Sequence, residues 1–149
     1  MLLCAAIAQA CAGELAVDLP SPLLVVDTYP SSGATVEREH LLQLTVTFSE
    51  DLGAGAAGRE DVVGKIGLER LDPDADPALP GERIELGRSE YHAVSHTLVF
   101  TPNEDHLDSR LLPGVELLFT IGAGIAAADG PTLSHDVRVR FWIAQKTRG

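Results

Sequence analysis

Three stretches of this chain alternate apolar and polar side chains with a period of two, and turn-forming or small polar residues punctuate the chain between them. In the first, Leu42, Leu44, Val46 and Phe48 alternate with Gln43, Thr45 and Thr47. In the second, Leu112-Pro113-Gly114 launches Val115, Leu117, Phe119 and Ile121 on one face, with Glu116 and Thr120 on the other. In the third, Val137, Val139, Phe141 and Ile143 alternate with Arg138, Arg140 and Trp142. Successive side chains on a strand point to opposite faces, so each run makes a half-buried antiparallel strand. Sheets with one apolar face must cover that face with a second layer, which restricts the chain to packed-sheet folds.

The remaining segments extend the pattern. Residues 23–28 form a first strand, and Tyr29-Pro30-Ser31-Ser32-Gly33 is a turn in which proline fixes φ and glycine permits positive φ. Ala34 to Val36 form a short second half of that edge strand. A Gly/Ala-rich loop at 51–58 leads to a strand at 62–71 that places Ile66 and Leu68 on one face, with at most a helical turn within 54–63. A Pro/Asp loop at 72–81 precedes a short strand marked by Ile84 and Leu86. Thr97-Leu98-Val99-Phe100-Thr101 is a further strand stopped by Pro102, and Asp129-Gly130 turns the chain into the last strand. About seven short strands, with turn signals every 8–12 residues or somewhat wider, predict an all-β antiparallel sandwich.

The composition is consistent with one such domain. A chain of 149 residues that is 45% hydrophobic has enough apolar content for one core, and at 5% aromatic it must build that core on Leu, Val, Ile and Ala around Phe48, Phe100, Phe119 and Phe141. A net charge of -11 and a pI near 4.7 argue against a nucleic-acid partner, which requires clustered Lys and Arg. They argue equally against an electrostatic grip on anionic lipid.

The N-terminus has a different character. Residues 2–10 are apolar and Ala-rich, uncharged until Glu14, and too short for a span of about 20 residues. They have the flavour of a signal-peptide core, although Met1 leads straight into Leu2-Leu3 with no basic front end. Ala8-Gln9-Ala10-Cys11 is an A-x-A pattern directly before a cysteine, and it resembles a bacterial lipobox, where that cysteine carries diacylglycerol. The lipobox prefers Leu where Ala8 stands. Three readings stay open: lipidation of Cys11, cleavage without lipid, and an inert hydrophobic tail. With Cys4 in the signal and Cys11 alone, no internal disulfide is expected. The expected organisation is a signal or lipobox-like segment at 1–12, a tether at 13–22 ending in Pro20-Ser21-Pro22, a sandwich at 23–144 and a tail at 145–149.

Chemistry-bearing patterns are sparse. Asp72, Asp74 and Asp76 open like a calcium loop, but Pro77 occupies the sharp-turn glycine position and Arg83 the position of the bidentate acid. His92 and His96 would suit zinc on a helix, whereas on a strand they lie about 13 Å apart. No Gly-x-Ser-x-Gly elbow is present. Glu50-Asp51 ends a strand in solvent, and Gly122-Ala123-Gly124 lacks the following basic helix of a phosphate cradle. No metal, no cofactor and no catalytic residue are therefore expected. Trp142, on the polar face beside Arg138 and Arg140, is the candidate ligand contact.

Taken in order, Val26-Asp27-Thr28-Tyr29-Pro30 with Gly33-Ala34-Thr35-Val36, Leu44-Thr45-Val46-Thr47-Phe48-Ser49-Glu50, Thr97-Leu98-Val99-Phe100-Thr101-Pro102, Leu112-Pro113-Gly114 with Phe119-Thr120-Ile121, and Ala128-Asp129-Gly130 resemble the bacterial Ig-like domains of the SbsA type, found in S-layer and other envelope proteins. The resemblance covers roughly residues 23–143. It departs in the long Pro/Asp-rich segment 51–87, at Val115-Glu116-Leu117 and at Phe141-Trp142-Ile143-Ala144. It implies a seven-stranded Ig-like sandwich, usually without a disulfide, that acts as a spacer, adhesive or presenting module. The expectation is thus a non-enzymatic module exported to the periplasm or cell surface. Its partner would be an envelope protein or polysaccharide, and a lipid on Cys11 would attach it to the membrane. The alternative is a carbohydrate- or peptide-binding module.

Overall fold

The computed structural model describes residues 21–41, 43–76, 79–102 and 112–145. Among these residues nine strands form two sheets. β1 (Val25–Tyr29), β3 (Leu44–Phe48), β7 (Thr97–Thr101) and β6 (Arg88–His92) make a four-stranded sheet in the order β1-β3-β7-β6. β2 (Thr35–Val36), β9 (Val137–Ile143), β8 (Glu116–Ile121), β4 (Ile66–Leu71) and β5 (Glu82–Ile84) make the other, in the order β2-β9-β8-β4-β5. This is the ABED-against-GFC arrangement of an immunoglobulin sandwich, with one additional strand at each edge of the second sheet. The expected all-β Ig-like sandwich is therefore the observed fold, and the described residues contain no cysteine.

The alternating runs account for the two layers. Leu44, Val46 and Phe48 on β3, and Leu117, Phe119 and Ile121 on β8, are buried, while the residues between them are half-buried on the outer faces. Phe100 of β7 and Phe119 of β8 meet edge to face across the two sheets, with ring centroids 6.5 Å apart and an interplanar angle of 81°. That contact joins the two layers through the apolar interior. Among the described residues no polar or charged residue is buried.

Three features depart from the sequence expectation. The strand expected at 62–71 starts only at Ile66, because Glu60–Val63 forms one α-helical turn (α1). Arg88–His92 is a strand, though its only large apolar side chain is half-buried Tyr91. Its pairing with β7 (Ser89 with Phe100, Tyr91 with Leu98) recruits it from outside its own sequence pattern. Finally, β2 pairs with β9 in parallel, so the edge strand that begins in one sheet ends in the other. The turn between β1 and β2 permits this crossing. Gly33 has φ +81°, and its N–H donates to the Arg140 carbonyl at 2.7 Å. The segment 91–96, expected as the turn between two strands, gives Tyr91 and His92 to β6 and turns only at 93–96, while the expected turns at 112–114 and 129–130 are present.

Candidate binding face

The strand registers place outward side chains in rows across the five-stranded sheet. One row runs Arg83, Glu69, Leu118, Arg140 across β5, β4, β8 and β9. The next contains Gly67, Thr120 and Arg138. A third holds Leu71, Glu116, Trp142 and Thr35, reaching β2. Trp142 therefore stands on the polar face beside Arg138 and Arg140, as the alternation in β9 predicts. It is half-buried at the β2 edge, where its backbone N–H donates to the Ala34 carbonyl at 2.9 Å.

Above these rows lies an open groove of about 510 Å³, walled on one side by Leu79, Pro80 and Gly81 of the β4–β5 connection. Four cationic side chains line it (Lys65, Arg83, Arg138 and Arg140) against a single carboxylate, Glu69. The two acids nearest the floor are already engaged. Glu69 accepts the Gly81 backbone N–H at 3.3 Å, and Glu116 pairs with Arg140 at 3.3 Å. A chain with only 11 Lys and Arg against 22 Asp and Glu thus gathers four of those cations in one concavity. Sequence reasoning saw Arg138 and Arg140 but not the groove, because Lys65 and Arg83 join it only through strand register. The local signal was Gly67, a glycine inside a strand where the backbone does not need one.

A second cluster secures the long connection between β3 and β4. The Tyr91 hydroxyl donates to Asp51 Oδ1 at 2.6 Å and accepts the Leu52 N–H at 2.8 Å, and Asp51 Oδ1 also accepts the Gly53 N–H at 3.0 Å. Arg59 donates to the Leu52 carbonyl at 2.8 Å and grips Asp61 through two nitrogens at 2.7 and 3.2 Å. Ser89 donates to the Ala57 carbonyl at 2.8 Å. The Tyr91 hydrogen bond holds the Asp51 carboxyl below its ordinary pKa, helped by the Gly53 N–H. Burial first, and then the Asp51 partner, push Tyr91 up to about 12. The Arg59 guanidinium likewise lowers Asp61. These groups anchor a loop whose Leu52, Ala56 and Val62 pack into the core. Their hydrogen-bond partners are backbone groups or one another, which makes a lock on the loop.

The other sequence candidates are dispersed. Asp72, Asp74 and Asp76 are exposed, and Asp72 Oδ1 accepts the Asp74 N–H at 2.9 Å in a tight turn. His92 ends β6 and His96, with φ 53°, precedes β7, so the two flank one hairpin turn. Asp51 of the Glu50-Asp51 pair belongs to the tyrosine lock, a partner 40 residues away that no local pattern reveals. Among the described residues no three His, Cys, Asp or Glu side chains cluster to hold a metal ion. Cys11, with the segment around it, lies outside the described residues.

No protein-family model matches the chain, and no curated protein matches it in sequence. Solved structures match it in shape. The native conformation of E. coli alpha-2-macroglobulin matches with a TM-score of 0.50 and 18% identity over 85% of this chain and 6% of that one. The S-layer protein rSbsC(31-844) matches with a TM-score of 0.52 and 11% identity over 83% of this chain and 14% of that one. At these identities the likeness is one of fold, and the chain spans a small fraction of either protein.

Proposed function

We propose that the chain is a non-catalytic module of the bacterial cell envelope, an SbsA-type Ig-like domain that spaces or displays other elements and is tethered through a lipid on Cys11. The observation that carries this is the scale of the structural match: nearly the whole chain corresponds to one small segment of much longer proteins, one of them an S-layer protein. A sandwich embedded in that way serves as a building unit. The polar clusters support the same reading, since the strongest of them anchors a loop. Localisation to the periplasm or the cell surface follows from the lipobox-like Ala8-Gln9-Ala10-Cys11. Several acyl chains on one cysteine suffice for stable anchoring.

The test is metabolic labelling of the intact gene product in a bacterial host with radiolabelled palmitate, followed by fractionation. The expected result is label in the envelope fraction, with Cys11→Ser unlabelled and released from the membrane. Unlabelled protein confined to the cytoplasm would overturn both the anchoring and the envelope assignment. A second reading, recognition of a peptide or carbohydrate, is favoured by the cationic groove beside Trp142.

A further inference from the structure

We infer that the groove on the outer face of the five-stranded sheet binds an extended acidic peptide segment through Arg138 and Lys65, with Gly67 as its floor. This deepens the recognition reading just given and is independent of how the chain is anchored.

Three observations converge on it. The first is charge. The groove has four cations and one carboxylate along its walls in a protein of net charge -11. Arg140 is committed to Glu116, whereas Arg138 is exposed and has no ion pair among the described residues. The acidic remainder of the surface does not prevent an acidic ligand from binding there. At physiological salt, charges farther than about 8 Å are largely screened, and the contacts inside the groove dominate.

The second is the floor. Gly67 is the second residue of β4, paired with Thr120 of β8; its φ lies outside the left-handed region, and a Cβ built on it meets nothing within 4 Å. Backbone conformation therefore does not explain this glycine, and neither does internal packing. A strand glycine of this kind marks a place where another backbone approaches closely. With half-buried Leu118 and Thr120 beside it, the floor is low and partly apolar under charged walls. Its volume of about 510 Å³ is within the range of roughly 300–1,000 Å³ typical of ligand sites.

The third is spacing, which selects the ligand class. Arg138, Arg140 and Trp142 project from one face of β9 at every second residue, about 6.7 Å apart. An extended peptide has the same two-residue repeat. A peptide running parallel to β9 over Leu118 and Thr120 of β8 turns alternate carboxylates toward β9, where Arg138 meets one, and keeps its backbone beside Gly67 of β4.

The experiment is fluorescence anisotropy with the full chain and a labelled alternating glutamate–serine octapeptide. A glutamine–serine octapeptide is the neutral control, and oligogalacturonate is the acidic sugar competitor. The glutamate peptide should bind saturably and the glutamine peptide should not. Arg138→Gln should weaken binding about fivefold, the loss of one exposed charge pair. Gly67→Val should reduce binding below detection while the thermal midpoint holds or rises, because the added side chain enters open space on a strand. Arg88→Gln, on the four-stranded sheet, should change nothing. Absence of saturable binding, equal binding of the neutral peptide, or indifference to both Arg138→Gln and Gly67→Val would overturn the inference. Tighter binding of oligogalacturonate than of the peptide would overturn it in favour of a polysaccharide ligand. None of these outcomes bears on the palmitate experiment, so a failure here is distinguishable from a failure of the envelope assignment.

Discussion

At the scale of single residues, the lock around Tyr91 is the feature least visible in the sequence. Tyr91 reads as one aromatic in a polar stretch, and Asp51 as the end of a strand. Only the packing of β6 against the connection after β3 brings the hydroxyl to the carboxylate at 2.6 Å. The consequence is a pair of pH effects of opposite sign. Asp51 has a folded pKa below the ordinary 3.8, so its stabilising contribution is present above that pH and fades as acid titrates the folded carboxyl. Tyr91 has a folded pKa raised from 10.0 to about 12, so its contribution is complete below pH 10 and is lost as the pH rises toward 12. The chain has two tyrosines, which makes the second effect easy to read. Absorbance at 295 nm should show one tyrosine ionising near pH 12, and Tyr91→Phe should delete that phase. In urea titrations, Tyr91→Phe should also lose less stability than the parent between pH 5 and about pH 3, because its Asp51 no longer differs as much between folded and unfolded chains.

At the scale of elements, legibility followed the strength of alternation. β3, β8 and β9 carry strict period-two patterns, and the structure places their inner and outer residues as the pattern dictates. β6 has no such pattern, since its neighbours supply the burial that its own residues lack, and it emerges only from its pairing with β7. β4 was legible in its apolar face (Ile66, Leu68) but not in its start, because Val62 and Val63 extend an apolar run that local geometry folds into one helical turn. Two glycines make the difference between conformation and contact measurable. Neither Gly33 nor Gly67 would bring a Cβ within 4 Å of another atom, yet only Gly33 has positive φ, at +81°. Gly33→Val should therefore destabilise by about 1–2 kcal/mol through backbone strain alone. Gly67→Ala should stabilise by about 0.5–1 kcal/mol, since alanine loses less freedom in a strand. Denaturant midpoints of the two variants against the parent check both signs. A loss of stability in Gly67→Ala would mean that the floor of the groove is packed from above in the free protein.

At the scale of the whole molecule, the interior between the two sheets is apolar over the described residues. Phe119 is fully buried on β8 and meets Phe100 of the opposite sheet, so Phe119→Ala should cost about 3–5 kcal/mol in a denaturant titration. A cost below about 1 kcal/mol would place the centre of the core elsewhere. The sandwich itself was legible, because three half-buried strands and a set of turn signals leave few other architectures. The cationic groove was not, because register across four strands assembles it, and register is a property of pairing. The crossing of the first edge strand from one sheet to the other has a mechanical meaning. β2 and β9 run side by side in the same direction, tied by Gly33 N–H to the Arg140 carbonyl, Trp142 N–H to Ala34 and Ala144 N–H to Val36. Tension applied between Ser21 and Gln145 drags these strands in opposite directions along their own axes. All three bonds then bear the load at once and none can be peeled first, so the two strands resist shear together.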